Sequence, residues 1–362
     1  MKFGLSILDR YILRKFLGTF FLSILLIILI VIVFDISEKI EDFLQPEVTI
    51  GEIIFDYYLN FVPYFVNLFS HLFTFIAVIF FTSRLASRTE IVALLSSGIS
   101  FNRLLRPYMI GATVIALTSL FLNNYLIPIA NKTRLDFMSK YIDNNYSFTG
   151  RDIHRQVAPG VFVYMESYNS VENTGERFTV EKIRGTHMLS KLSARQIKWD
   201  SIKSRWSILD YTVRFIDGKH ERLVKGARID TTFNLNPKDF ARAENRTESM
   251  TFIELNHFIE NEKMKGSDNV QLYEIEKHRR IAYPFATFVL TIIGVAVSSR
   301  KSRGGTGRHL GVGISLSFIF IFFMQWFDSY AKTGVLPAYV AMWIPIAIFS
   351  IIAIYMLRKA PK

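Results

Sequence analysis

The chain has 362 residues, 50% of them hydrophobic, with 33 phenylalanines and a formal charge of +12, and its mean hydropathy is +0.25. That balance excludes an ordinary soluble domain, and because the charges lie between apolar blocks and form no single basic, aromatic-studded face, a bilayer explains them better than nucleic acid does. With no cysteine, the chain has no disulfide framework, no thiol chemistry and no cysteine-based metal site.

In chain order, the first pattern is LDRYILRKF, which mixes Leu8, Tyr11, Ile12 and Phe16 with Arg10, Arg14 and Lys15. It predicts an amphipathic helix resting at the membrane surface, with its cations near anionic headgroups. Residues 17–34 follow as the first of six apolar runs, the others being 61–82, 108–129, 281–297, 310–330 and 339–357. Each is long enough to cross about 30 Å of hydrocarbon at about 1.5 Å per helical residue. The first run has a basic lead but no small-residue cleavage site, so it reads as a retained anchor and not as a signal peptide.

The connections orient the spans. Lys2, Arg10, Arg14 and Lys15 precede span one, and Arg84, Arg88, Arg103 and Arg106 join spans two and three. Arg300, Lys301, Arg303 and Arg308 join spans four and five, and Arg358, Lys359 and Lys362 close the chain. All four groups fall on one side if the spans alternate. The connection between spans one and two is acidic instead, with Glu38, Glu41, Asp42, Glu47, Glu52 and Asp56 against Lys39, and that between spans five and six holds Lys332. The positive-inside rule then places both termini in the cytoplasm and the large insert outside.

Between spans two and three lies RLASRTEIVALLSSGIS, residues 84–100. Thr89 is placed to cap a helix there, Ile91, Leu94 and Leu95 form one stripe, and Gly98 suits a left-handed stop. Two readings are open. One is a helix lying on the lipid surface, anchored by Arg84 and Arg88; the other is a rigid peg that enters a groove on a cytoplasmic partner, with Glu90 as a charged contact.

Residues 131–280 lose the long apolar runs. GVFVYMESY, RFTVEKIRG, SARQIKWD and RWSILDYTVRFI alternate with period two, and Asp217-Gly218 is a hairpin-turn pair. Short strands with turns between them predict a sandwich or jellyroll. Residues 251–265 then show helical spacing, with Thr251 and Glu254 as a capping box and Gly266 as a stop, and a second helix from Leu272 leads into span four. The predicted fold class is a membrane α-helical protein of six spans with an inserted external all-β, jellyroll-like domain. Its divisions are 1–130, 131–250 for the β domain, 251–280 for the helical connector and 281–362.

No catalytic constellation emerges. RKSRGGTGRH lacks the Lys-Ser/Thr pair and the preceding strand of a P-loop, so it reads as a flexible basic turn, and any ATP-driven work must use the ATPase of another chain. His71, His154, His187, His220, His257, His278 and His309 are scattered, with no metal-site spacing. Asp35 and Asp328 fall near span ends, while Thr113, Thr291 and Ser317 occupy span centres uncharged. That disfavours a proton-coupled carrier and suits a greasy pathway, with Phe20, Phe21, Phe34, Phe318, Phe322 and Phe323 either as its lining or as ordinary lipid-facing and bundle packing. The competing reading is a non-transporting receptor or assembly scaffold whose external domain binds a ligand.

LDRYI, the RLASRTEIVALLSSGIS block, YEIEKHRRIAYPFATFVL and LGVGISLSFIFIFFMQ, in that order on a layout of three spans, a β domain and three spans, resemble the LptF/LptG (YjgP/YjgQ) permeases of lipopolysaccharide export, with a lean toward the G-like member. The resemblance implies an inner-membrane permease that pairs with a paralogous one above a cytoplasmic ABC ATPase dimer, which holds the ATP and Mg; this chain binds no cofactor. It implies that residues 84–100 are the coupling helix, that Glu90 touches the ATPase, and that the external jellyroll passes lipid to a periplasmic jellyroll bridge protein. It implies lateral gates where span one of one permease meets span five of the other. One departure stands: the family's basic residues near the outer end of span one are represented by Lys39 among Asp35, Glu38, Glu41 and Asp42. The phosphate-holding cations then come from the paired permease or the β domain, or the head group is less charged.

Overall fold

A computed structural model describes residues 6–142, 149–169, 172–185, 187–201, 203–218, 220–233, 235, 247–264, 267, 269–299 and 305–359. Lys2, Lys265, Gly266, residues 300–304 of the basic turn and Lys362 lie outside them. The chain divides into two compact units, Met1–Phe137 with Glu274–Lys362, and Met138–Tyr273.

In the first unit, α1 runs from Ile7 to Phe43 and starts with a capping box: Ser6 accepts from the Asp9 amide, and the Asp9 carboxylate accepts from the Ser6 amide. Ile12, Phe16, Phe20, Ile24 and Ile28 recur every fourth residue and are buried, whereas Leu22, Leu25, Leu29 and Val33 on the other faces are 52–66% exposed. Exposed aliphatic faces on so apolar a helix are lipid-facing. LDRYILRKF is therefore not a separate surface helix. Nothing breaks the helix between Phe16 and Leu17, and the buried stripe already begins at Ile12.

Helix α2 spans Ile50–Ser87, followed by the short α3 (Glu90–Ser96) and by α4 (Phe101–Ile142). Among the described residues, six helices are long and apolar enough to cross a membrane: α1, α2, α4, and three introduced below. In hydrocarbon a buried apolar stripe gains little transfer energy, so close van der Waals packing must hold the bundle. Gly111 of α4 permits such an approach, because a Cβ there would stand 2.5 Å from Phe16 Cε1. Helix α2 is central: Ala77, Val78 and Phe81 share one core with α1, α3 and α4, while Phe75 and Ile79 share a second with the C-terminal spans.

In the second unit, six described strands form one antiparallel sheet in sequence order: β1 (Thr149–Ala158), β2 (Val161–Asn169), β3 (Thr174–Arg184), β4 (His187–Asp200), β5 (Arg205–Asp217) and β6 (His220–Thr231). The four strands expected from period-two alternation are present. The expected hairpin closes with Asp217 opposite His220 and Gly218 at φ +58°. Val163, Met165, Phe178, Ile197, Trp206 and Ile208 build the sheet's core. Beyond β6 the chain returns to that core: Phe233 lies 5.8 Å from the Phe178 ring, and Trp206 Nε1 donates to the Leu235 carbonyl at 2.8 Å.

Helix α5 (Phe252–Met264) keeps the expected capping box, the Glu254 carboxylate accepting from the Thr251 amide at 2.8 Å and from its hydroxyl at 2.9 Å. The last spans are α6 (Val270–Ser298), α7 (Gly305–Lys332) and α8 (Ala338–Arg358). α6 starts two residues before the expected Leu272 and is continuous with span four.

Candidate functional site

The segment between α2 and α4 differs from its sequence reading in extent. Arg84 is still part of α2, which ends at Ser87, and only Glu90–Ser96 forms the separate helix. Thr89 does not cap it: its backbone is left-handed at φ 62°, and its hydroxyl is committed to the Arg88 carbonyl at 2.6 Å. A threonine in that region costs on the order of 1 kcal/mol, and it supplies the corner between the two helices. The far end fits the expectation. Gly98 has φ +86° and donates to the Leu95 carbonyl at 3.0 Å, while Ile99 donates to the Leu94 carbonyl at 3.3 Å, a Schellman stop.

The stripe of α3 faces inward. Ile91 is buried, and Leu94 and Leu95 are half-buried against the core of α1, α2 and α4. The faces of α3 left open carry Val92, Ala93 and Ser96, and Arg84 and Arg88 before the helix and Gly98 after it are exposed as well. Glu90 stands at the margin, half-buried, its carboxylate accepting from the Tyr11 hydroxyl of α1 at 3.3 Å. A groove of about 310 Å³ runs beside it, bounded by Leu8, Tyr11, Ile12, Leu85 and Leu94.

A second link joins the same elements. Arg103, in the first turn of α4, grips the Asp9 carboxylate through Nη1 at 2.5 Å and Nη2 at 2.8 Å, and Nη2 also reaches the Ser6 hydroxyl at 2.9 Å. The Asp9 side chain is 1% exposed. Sequence reasoning missed this pair, although Ser6-x-x-Asp9 is a capping-box signature that marks Asp9 as more than a surface charge.

At the other end of α1, Lys39 is not a free cation. It bonds the Asp35 carboxylate one turn earlier and the Tyr57 hydroxyl at 2.7 Å. Tyr57 and Tyr58 donate to the two oxygens of Asp35 at 3.1 and 3.0 Å. Consecutive helical side chains ordinarily diverge by about 100°; both reach one carboxylate here from the π-helical turn Ile53–Tyr58, opposite the kink of α1 at Lys39. Asp328 of α7 is likewise occupied, by Arg279 at 2.6 Å and Lys332 at 3.1 Å.

The candidate lining divides. Phe34, Phe318 and Phe322 are 72%, 68% and 62% exposed, and Phe21 is 62% exposed. Phe20, by contrast, is one of the buried stripe residues of α1, so it lines no open face. Phe323 is half-buried and packs against the second core. Trp326 continues the open face of α7, its ring 6.0 Å from Phe322 and 5.9 Å from Tyr330. A separate cavity of about 200 Å³ lies between α2, α6 and α7, walled by Leu68, His71, Tyr283, Phe320, Met324 and Gln325.

Membrane-length helices interrupted by an antiparallel sheet define a multi-pass membrane protein with an inserted β domain. Residues 10–359 match the sequence model of the lipopolysaccharide export system permease LptF/LptG family, and the chain belongs to that family. It is also similar to the lipopolysaccharide export system permease protein LptG of Haemophilus influenzae, with 20% identity over 370 aligned positions that cover 98% of this chain and 99% of that protein.

Proposed function

We propose that this chain is the G-like permease subunit of an ATP-driven exporter. It takes lipopolysaccharide from the inner membrane and hands it to a periplasmic β-jellyroll bridge protein. ATP and Mg are bound and hydrolysed by a cytoplasmic ABC ATPase dimer, and a paralogous permease completes the lipid chamber. Both termini and α3 face the cytoplasm, and the β domain faces the periplasm, in keeping with the distribution of basic residues.

The observation that carries the reading is α3 itself. A seven-residue helix has too little length to hold its shape alone, yet α3 is closed by a Schellman stop and fixed to three neighbouring helices by Ile91, Leu94 and Leu95. What it leaves for a partner is a rim of Glu90, Arg84 and Arg88 on a rigid mount. Force applied there passes to the spans without bending the helix. Exposed Phe34, Phe318 and Phe322 on α1 and α7 offer a greasy surface for the acyl chains, and since Lys39 is neutralised by Asp35, the head-group phosphates are held by the paired permease or the β domain.

Glu90→Ala tests this in the purified complex reconstituted in vesicles. The complex assembles and hydrolyses ATP, and lipopolysaccharide released per ATP falls at least tenfold. Undiminished release overturns the proposed role of Glu90. If wild-type protein brings down neither an ATPase nor a second permease, the receptor or scaffold reading takes its place.

A further inference from the structure

Force from α3 has evident routes into α2 and α4, which flank it in the chain. The contacts with α1 are different in kind. Tyr11 lies 79 residues from Glu90 and Asp9 lies 94 from Arg103, so neither contact follows from chain connectivity. Both fall within the first turns of α1, on either side of α3: one on Glu90 itself, the other just beyond the Schellman stop, where Ser100 caps α4. Asp9 simultaneously closes the capping box of α1, so the same carboxylate ends α1 and ties it to α4. A bidentate guanidinium pair resists rotation as well as separation, and with Asp9 almost fully buried the pair is poorly screened by solvent. Ile12 and Phe16 lie directly behind these contacts in the shared core.

We propose that Asp9, Arg103 and Tyr11 are positioning residues that clamp the start of span one to the α3–α4 corner, so that span one moves as one body with the segment the motor pushes. This rests on the coupling role of α3 and adds the route: the stroke reaches the lipid-facing helix α1 directly, not only through spans two and three. Tyr11 has the further task of holding the Glu90 carboxylate in place before the motor engages it.

The chain lacks cysteine, so Leu22→Cys on α1 and Leu117→Cys on α4, both at exposed positions, can carry nitroxide pairs in the complete permease–ATPase complex. In wild-type background the Leu22–Leu117 distance stays narrow and equal with and without ATP. With Arg103→Met it broadens and becomes nucleotide-dependent, the ATPase still co-purifies, and lipopolysaccharide released per ATP falls at least fivefold; Arg103→Lys, which keeps the charge but not the two-pronged grip, recovers only part of that loss. The proposal is overturned if Arg103→Met matches wild type in distance and release, or if it sheds the ATPase, which would make Arg103 part of the docking surface. Should Arg103→Met not fold, Tyr11→Phe, which leaves the ion pair intact, must lower release per ATP at least twofold, and an unchanged ratio also overturns the clamp. Failure of Glu90→Ala to uncouple brings down the underlying reading instead, and the nitroxide distances still report whether α1 and α4 move together.

Discussion

Gly111 and Phe16 occupy each other's space: a methyl group on residue 111 would sit 2.5 Å from Phe16 Cε1 and 3.2 Å from Leu13 Cδ1. Phe16 is wholly buried, so its ring cannot swing aside into lipid. Gly111→Ala is expected to lower stability by about 1–3 kcal/mol, the usual cost of overpacking. Thermal unfolding in detergent measures it, with Gly18→Ala as the control. Gly18 lies on α1 with nothing within 4 Å of its missing Cβ, so alanine there is neutral or stabilising by up to roughly 1 kcal/mol. Equal losses from both would mean that close approach at Gly111 does not hold α1 to α4.

Lys39 separates a structural from a lipid-binding role. Lys39→Met leaves the Asp35 carboxylate, 9% exposed, with two tyrosine hydroxyls and no cation, and about 2–4 kcal/mol of stability is lost. Lys39→Met with Asp35→Leu removes both charges and recovers most of that loss. Lipid release from the double variant, per folded complex, stays within twofold of wild type. A Lys39→Met variant with normal melting and poor release would instead make Lys39 a head-group contact.

The spans are legible in the sequence because apolar length alone defines them, and β2 to β5 because one face of each meets the core, giving period two. β1 and β6 lack that signal. HERLVKGARIDT has most of its residues exposed on both faces, so no alternation is imposed on it. Lys39 reads as a lone cation because its partners lie 18 residues away, at Tyr57, and one helical turn back at Asp35, a spacing as common on solvated helices. Phe20 and Phe21 are chemically equivalent in the sequence, and only the phase of the Ile12–Ile28 stripe assigns the first to the bundle and the second to lipid. The clamp at Asp9 is hidden for a related reason: a partner 94 residues distant leaves no trace in local periodicity.

Trp206 ties β5 to the returning chain. Its indole N–H donates to the Leu235 carbonyl at 2.8 Å in a fully buried setting. Trp206→Phe keeps most of the apolar volume but takes the indole donor away from that carbonyl and leaves a small void, for a loss of about 2–4 kcal/mol. Hydrogen exchange on the full chain should show faster exchange concentrated in β4, β5 and β6, with the membrane helices unaffected. Uniform protection across the sheet would mean that residue 235 does not brace it.

The open aromatic face of α7 gives the most direct test of the lipid path. Phe318 and Phe322 are four residues apart and both well over half exposed, whereas Phe20 is 4% exposed in the bundle. A side chain that meets the transported lipid must be reachable from outside the packed helices, and an i, i+4 pair presents one continuous strip to it. Photoreactive benzoylphenylalanine at 318 or 322 is therefore expected to cross-link lipopolysaccharide in living cells, and the yield should change when ATP hydrolysis is blocked and lipid stalls in the chamber. The same probe at position 20 should capture protein from neighbouring helices and no lipid. Cross-links to bulk phospholipid alone at 318 and 322, insensitive to ATP, would identify that strip as ordinary lipid-facing surface and move the path elsewhere.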